Sequence, residues 1–291
     1  MEIRIQKTDR RLILPGLATA HSHAFQRALR GRTQRRSTAA DSFWSWRSLM
    51  YRLVEGLDPD TIYMLSRFAY MELAMSGVTA VGEFHYVHHA KDGRPYADRL
   101  AMAEAVIQAA KDAGIRLTLI RTAYLRGGYG QELAPAQRRF VDPDIEHVMA
   151  DVAALEARHA HNPHVRIAVA AHSIRAVPLP DVVALAGFAR DRGMPFHMHV
   201  AEQRRELEEC LAEYGRTPLA LLADAGVLSP DFVAVHATHL SDDEIARLGA
   251  AGAMACLCRT TERDLGDGLP RTADLIRAGT GICVGVDSHC S

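Results

Sequence analysis

Short apolar runs alternate with longer amphipathic stretches along the whole chain. The runs are rich in Val, Ile, Leu and Ala, as strands buried on both faces of a parallel sheet are. They predict eight strands over Leu12–Ala20, Val78–Phe84, Arg116–Ala123, Arg166–His172, Pro195–His199, Phe232–His236, Ala253–Cys256 and Gly281–Asp287. Strict alternation with helices predicts parallel strands joined by right-handed crossovers. Eight strands favour a closed (β/α)8 barrel, and no glycine-rich dinucleotide fingerprint follows the first strand to support an open sheet.

Helix signals occupy the gaps between the predicted strands. Asp58 and Pro59 predict an N-cap followed by proline at the first helical position, and Gly77 predicts the end of that helix. Ser241 and Glu244 have the spacing of a capping box. Further helices are predicted over 97–113, 143–160, 181–192, 204–225 and 271–278.

The pattern assigns residues 12–291 to the barrel and residues 1–11 to a short remnant of an N-terminal β segment. Only a few residues follow Asp287, so no helix follows strand eight. We therefore expect a barrel that is truncated after strand eight and exposes apolar surface there. A homodimer is one way of covering such a surface.

The composition and net charge of the chain argue against several classes of binding partner. The 291 residues carry a formal net charge of −1, so there is no basic excess to neutralise phosphates, and we expect no nucleic-acid partner. No apolar signal core or membrane-length apolar stretch is present, so we expect no membrane partner. Five cysteines with no disulfide-scaffold spacing are typical of reduced thiols. Together these features predict a cytoplasmic enzyme.

Metal-competent side chains stand at the ends of most predicted strands, where the active sites of such barrels lie. Histidines contribute most of them, among the 15 in the chain. The positions are His21 and His23, Glu83 and His85, His172, His197 and His199, His236, and Asp287. Residues two apart on an extended chain face the same way, so His21 and His23 can reach one ion. Imidazole and carboxylate ligands suit zinc or another borderline divalent ion.

Spacing leaves some of these assignments open. His197 and His199 share a strand face; His199 lies nearer the rim, and the more plausible place for His197 is inside the barrel. Glu202 follows His199 closely, which makes it a candidate proton shuttle or an ordinary loop carboxylate. His236 ends its strand, whereas His239 is expected in the loop. Asp287 ends an apolar strand, where an unpaired carboxylate would be costly to bury.

Several longer motifs carry a family resemblance. They are LPGLATAHSHAFQRALRG, SFWSWR, GVTAVGEFHYVHH, AHSIRAV, HMHVAEQRRE, VHATHL and GVDSH, and they spread from residue 14 to residue 289. With them the sequence resembles the amidohydrolase superfamily, and within it the N-formimino-L-glutamate deiminase family. Members of that family are longer and carry a small accessory β-sandwich, most of which we expect this chain to lack.

The resemblance implies a role for each matching residue. One divalent ion, by default zinc, would be bound by His21, His23, His199 and Asp287. Proton transfer and charge stabilisation would fall to Glu202, His236 and Asp287. The dicarboxylate substrate would be held by Gln26, Arg47, Tyr86, His172 and Arg175. For Arg47 the alternative is a solvated loop charge, and for Gln26 and Tyr86 it is loop packing.

The implied reaction is metal-dependent hydrolysis of N-formimino-L-glutamate to N-formyl-L-glutamate and ammonia, a step of histidine degradation. Two alternatives stay open at this point. One is another deaminase of the same superfamily that acts on a heterocycle. The other is an inactive truncated fragment.

Overall fold

A computed structural model describes residues 6–33 and 43–290. Within them, two short antiparallel strands, β1 (Gln6–Thr8) and β2 (Arg11–Ile13), precede an eight-stranded sheet. All neighbouring strands of that sheet are parallel and follow one another in chain order. They are β3 (Leu17–Ser22), β4 (Val78–His85), β5 (Arg116–Ala123), β6 (Val165–Ala171), β7 (Phe196–Val200), β8 (Phe232–His236), β9 (Met254–Leu257) and β10 (Gly281–Val284).

The sheet curves into a nearly closed barrel, because the segment after β10 returns to β3. Ser22 and Asp287 form a parallel bridge. The N–H groups of Val286 and Asp287 donate to the His21 carbonyl at 3.0 and 3.1 Å, and the His23 N–H donates to the Asp287 carbonyl at 2.8 Å. Gly285 permits this approach, since a Cβ there would lie 2.8 Å from the His21 Cβ. The predicted (β/α)8 barrel is confirmed.

Helices cover the outside of the barrel between the strands. They are α1 (Phe43–Val54), α2 (Pro59–Met75), α3 (Ala101–Ala113), α4 (Ile145–His159), α5 (Leu179–Asp191), α6 (Arg204–Tyr214), α7 (Pro218–Asp224), α8 (Asp242–Ala250), α9 (Arg259–Leu265) and α10 (Thr272–Arg277). Both predicted caps are present: Asp58 accepts from the Thr61 N–H, and Ser241 and Glu244 form a capping box. None of the helices that the structure describes is long and apolar enough to cross a membrane.

Several predicted boundaries were wrong. The strand predicted over Leu12–Ala20 is divided between β2 and β3, which Pro15 and Gly16 separate. The helix predicted over 204–225 is two helices, because Gly215 adopts the left-handed conformation with φ 66° and Pro218 begins α7. The last strand stops at Val284 rather than Asp287, which lies at φ 56° outside the extended region.

Candidate active site

The strand ends bring four predicted ligands together. The Nε2 atom of His21 lies 3.1 Å from Nε2 of His23 and 3.2 Å from Nε2 of His199. Oδ1 of Asp287 lies 3.4 Å from Nε2 of His21 and 3.3 Å from Nε2 of His23. All four side chains are buried. In a tetrahedral zinc site with Zn–N distances of about 2.0–2.1 Å, ligand atoms lie roughly 3.3–3.4 Å apart, so the cluster has the spacing of a zinc centre.

The outer nitrogens of two ligands set their tautomers. His23 Nδ1–H donates to the Phe84 carbonyl at 3.0 Å, and His199 Nδ1–H donates to the His172 carbonyl at 2.9 Å. A carbonyl can only accept, so each Nε2 carries a lone pair that points into the cluster. Lone pairs and a carboxylate that converge in a buried space need a cation, which supports a metal ion at this position.

Burial keeps the ligand imidazoles neutral. It lowers the pKa of His23 to about 3 and that of His199 well below its usual value. Asp287 behaves in the opposite way: burial disfavours its charge, but its hydrogen bond with His21 opposes that, and its pKa is low. Neutral imidazoles beside an ionised carboxylate are the protonation states that bind a divalent ion.

Glu202 and His236 face each other beside this cluster. Oε1 of Glu202 lies 3.7 Å from Nε2 of His236, and the His236 ring stacks on His199 with centroids 5.5 Å apart. Burial raises the pKa of Glu202 to about 7, against the opposing effect of His236. Burial also disfavours charge on His236, yet Glu202, Glu262 and Asp287 prevail and raise its pKa to about 10. The pair therefore combines a carboxyl that titrates near neutrality with a cationic imidazole.

The five predicted substrate-binding residues line one pocket with the catalytic candidates. Gln26, Arg47, Tyr86, His172 and Arg175 all border the space above His23, His199 and Asp287. His21 is fully buried and does not border it. All the predicted site residues thus belong to one region of the molecule, although their roles remain predictions.

Gln26 and Tyr86 are joined by a hydrogen bond. Gln26 Nε2 donates to the Tyr86 hydroxyl at 2.9 Å, and that hydroxyl donates to the Met50 Sδ at 3.9 Å. Gln26 Oε1 is buried and has no hydrogen-bond partner among the described residues. The Gln26 oxygen can therefore accept a hydrogen bond from a ligand.

Two guanidinium groups share the pocket. Arg47 lies on α1 rather than in a loop, so its interpretation as a solvated loop charge was wrong. Burial, opposed by Tyr51 and reinforced by the positive charge of Arg175, lowers the pKa of Arg47. The Nε of Arg175 is buried without a hydrogen-bond partner among the described residues. Arg47 and Arg175 thus place two positive charges in one pocket.

Backbone strain concentrates at this edge of the barrel. Ala201, His236, Ala237, Asp287 and His289 have positive φ angles of 54°, 71°, 51°, 56° and 54°, a conformation that costs free energy for residues other than glycine. Ala201 precedes Glu202, while His236 and Asp287 are themselves candidates. The distortion turns side chains out of the strand direction and towards the pocket.

The remaining histidines divide by position. His197 is buried within the barrel, as predicted, and His239 follows β8 in a loop. His88 is buried as well, and its Nε2 lies 3.0 Å from the Thr122 carbonyl. Its burial was not visible in the sequence because it follows β4 in a segment without hydrophobic periodicity.

Two buried carboxylates at the site were not predicted. Glu206 accepts from the N–H groups of Ala201 and Glu202 at 3.3 and 3.1 Å and so holds the turn that presents Glu202. Oε1 of Glu262 lies 3.7 Å from Nδ1 of His236. Both residues lie on helices after a strand, beyond the strand-end positions that pointed to the other candidates.

Comparison with known proteins agrees with this geometry. The chain matches the model of the amidohydrolase family over residues 12–291. It is 40% identical over 283 residues to formimidoylglutamate deiminase from Pseudomonas aeruginosa, an alignment that covers 96% of this chain and 61% of that protein. The chain thus spans about three fifths of the length of that relative.

Superposition on solved structures agrees with this family match. An amidohydrolase from Brucella melitensis superposes with a TM-score of 0.89 at 34% identity, covering 99% of this chain and 68% of that one. An atrazine chlorohydrolase from Arthrobacter aurescens, complexed with zinc, superposes with a TM-score of 0.81 at 25% identity, covering 95% of this chain and 60% of that one. Both superpositions cover nearly the whole of this chain, so the fold is shared. This chain belongs to the amidohydrolase family.

Proposed function

We propose that this chain hydrolyses N-formimino-L-glutamate to N-formyl-L-glutamate and ammonia, with one divalent ion bound by His21, His23, His199 and Asp287. The observation that carries the proposal is the presence of two guanidinium groups, Arg47 and Arg175, in the same pocket as this ligand cluster. A hydrolytic centre that shares its pocket with two guanidinium groups suits a substrate with two carboxylates. The 40% identity to a formimidoylglutamate deiminase supports the same assignment and a place in histidine degradation.

Zinc is the proposed ion. Three imidazole nitrogens and one carboxylate oxygen form a donor set that zinc favours, and a similar chlorohydrolase was solved with zinc. When bound, such an ion lowers the pKa of water towards about 7 and supplies a nucleophile at neutral pH.

The protein side chains would move the protons. Asp287, ionised at neutral pH, accepts a proton from the attacking water and orients its oxygen towards the formimino carbon. The new C–O bond forms as the C=N double bond becomes single. Glu202, with a pKa of about 7, donates one proton to the nitrogen, and the proton held by Asp287 follows. The C–N bond then breaks and ammonia leaves, while the hydroxyl proton passes to Glu202 as the C=O double bond of the product forms. Cationic His236 stabilises the negative charge that develops at the reacting centre.

The pocket walls would hold the rest of the substrate. Arg175 and Arg47 each pair with a carboxylate, since the planar guanidinium matches its two oxygens. Gln26, Tyr86 and His172 border the space between these cations and the ligand cluster and orient the formimino group by hydrogen bonds. Binding energy from the two carboxylates would thereby position the reacting carbon.

A substrate series tests the proposal. Purified, metal-assayed protein should release ammonia from N-formimino-L-glutamate with a higher kcat/KM than from N-formimino-L-aspartate or N-formiminoglycine, which shorten or remove one carboxylate arm. Ammonia release from a purine or pyrimidine with none from N-formimino-L-glutamate would select the heterocycle deaminase instead. Bound metal without turnover of any of these compounds would support the inactive fragment.

We also propose a cytoplasmic location and a homodimer. All five cysteines are free thiols in the structure, which suits a reducing compartment. Leu12, Ile13, Leu14 and Leu17 are exposed apolar side chains near the start of the barrel, which a second copy would cover. Light scattering on the purified chain tests the dimer, and a monomer at all concentrations would refute it.

A further inference from the structure

Glu262 is a buried carboxylate that the proposed reaction does not use. It lies on α9, directly after β9, and its side chain has no solvent exposure. Oε1 accepts from the N–H of Cys258 at 2.8 Å, and the Glu262 N–H donates to the Cys258 carbonyl at 3.0 Å. Oε2 lies 3.3 Å from Nη1 of Arg259. These contacts fix the carboxylate in one orientation.

That orientation directs Glu262 at the outer nitrogen of His236. Oε1 of Glu262 lies 3.7 Å from Nδ1, and Oε1 of Glu202 lies 3.7 Å from Nε2 on the opposite side of the ring. Nδ1 is buried and has no partner at hydrogen-bond distance among the described residues. Glu202 borders the pocket, whereas Glu262 lies behind the ring and does not. The imidazole is thus bracketed by one carboxylate in the pocket and one outside it.

We propose that Glu262 is a positioning residue that holds the Nδ1 proton of His236 and so keeps Nε2 directed at Glu202 and the pocket. An imidazole presents a defined nitrogen to a reaction only when the orientation of its ring is fixed, because the ring can otherwise flip. His236 also has a strained backbone at φ 71°, so the strand itself does not set the direction of its side chain. The effect expected on catalysis rests on the proposed function; the effect on the ring signals of His236 does not.

A purely structural role is the competing explanation, and Glu244 provides its control. Glu244 is also a buried glutamate near the start of a helix, where it accepts from the Ser241 N–H at 2.8 Å and from the Thr217 hydroxyl at 2.5 Å. It does not border the pocket. Glu244→Gln therefore removes a buried local carboxylate without touching His236.

The kinetic test compares the two variants. Glu262→Gln should lower kcat by roughly 10–100-fold with KM and bound metal almost unchanged, whereas Glu244→Gln should leave kcat unchanged. In a His236→Ala background, Glu262→Gln should add little further loss, since both changes remove the same function. Equal kcat values for Glu262→Gln and Glu244→Gln, or fully additive losses with His236→Ala, would overturn the proposal.

A second test needs no turnover. Nitrogen-15 NMR of the metal-loaded wild-type protein, with the His236 ring signals assigned by their loss in His236→Gln, should show a protonated Nδ1 at neutral pH. Those signals should move in Glu262→Gln and stay in place in Glu244→Gln. An unprotonated Nδ1 in the wild-type protein would overturn the proposal, even if the Gln variant fails to fold. Absence of wild-type turnover would contradict only the proposed function.

Discussion

Oε1 of Glu202 and Nε2 of His236 lie 3.7 Å apart, and this contact lowers the pKa of the carboxyl and raises the pKa of the imidazole. Burial outweighs the effect of His236 and raises the pKa of Glu202 to about 7, while the pKa of His236 rises to about 10. Over the neutral range Glu202 therefore titrates while His236 stays cationic, which suits an acid that donates one proton per turnover.

A pH–rate profile tests the role of Glu202. If it donates the proton to the departing nitrogen, kcat should fall as pH rises through about 7, because the acid form disappears. Glu202→Gln should lower kcat by about 10²–10⁴-fold and lack this limb. A Gln variant with the same profile as the wild-type protein would assign the limb to another group.

Arg175 and His236 should respond differently to substitution. Arg175→Ala removes a charged hydrogen-bond donor to a substrate carboxylate, so KM should rise by roughly 10–100-fold with a smaller change in kcat. His236→Ala should mainly lower kcat, because its charge acts on the developing transition state. Steady-state kinetics on both variants distinguish the two effects. A loss of kcat at unchanged KM in Arg175→Ala would contradict this division of roles.

Gly285 should be sensitive to the addition of one methyl group. A Cβ at Gly285 would lie 2.8 Å from the His21 Cβ and 2.9 Å from the Cys258 Sγ, both in the buried wall where the barrel closes. Gly285→Ala should cost about 1–3 kcal/mol of unfolding free energy and weaken metal binding by displacing His21. Denaturant unfolding and metal titration measure both effects.

Gly187→Ala is the matched control for that variant. Gly187 lies within α5, and a Cβ there meets nothing within 4 Å. Its replacement should leave stability unchanged or slightly raised, because alanine favours the helix. Equal stability and equal metal affinity in the two variants would show that the closure at Gly285 tolerates a side chain.

His197 should make the protein less stable in acid. Burial lowers its pKa to about 3, below the value of 6.5 for an exposed histidine. Below pH 6.5 the unfolded chain therefore binds a proton at His197 that the folded chain does not. The stabilisation that comes from a neutral, buried His197 is complete above pH 6.5 and is lost as the pH falls towards 3. Over that range His197 should account for about 1.4 kcal/mol per pH unit, and His197→Asn should flatten the dependence accordingly. An identical slope in the variant would contradict the buried neutral state.

Much of the fold was predictable from sequence because it depends on local signals. Buried parallel strands are continuous apolar runs, and Asp58 and Ser241 marked helix starts with side-chain caps that the structure contains. The predicted ends of helices and strands were wrong where a residue with an unusual backbone conformation determines the end. Gly215 divides one predicted helix, and Asp287 leaves the extended conformation before the predicted end of the last strand.

Spacing alone predicted candidate site residues where they coincide with a strand end, and the family resemblance was needed for the others. His21, His23, His199 and Asp287 have that position, and the structure brings them within 3.1–3.4 Å along the measured pairs. Glu262 and Glu206 lie on helices. They were found through their contacts, Glu262 with His236 and Glu206 with the turn that contains Glu202. Such contacts depend on tertiary packing, which sequence spacing does not encode.

The most direct test of the central proposal is the product balance of the reaction, measured together with metal content. Wild-type protein should carry about one divalent ion per chain and convert N-formimino-L-glutamate into equal amounts of ammonia and N-formyl-L-glutamate. His199→Asn should lose both the ion and the activity. A wild-type protein that binds its ion yet forms neither product, or a His199→Asn variant with full activity, would contradict the proposed function.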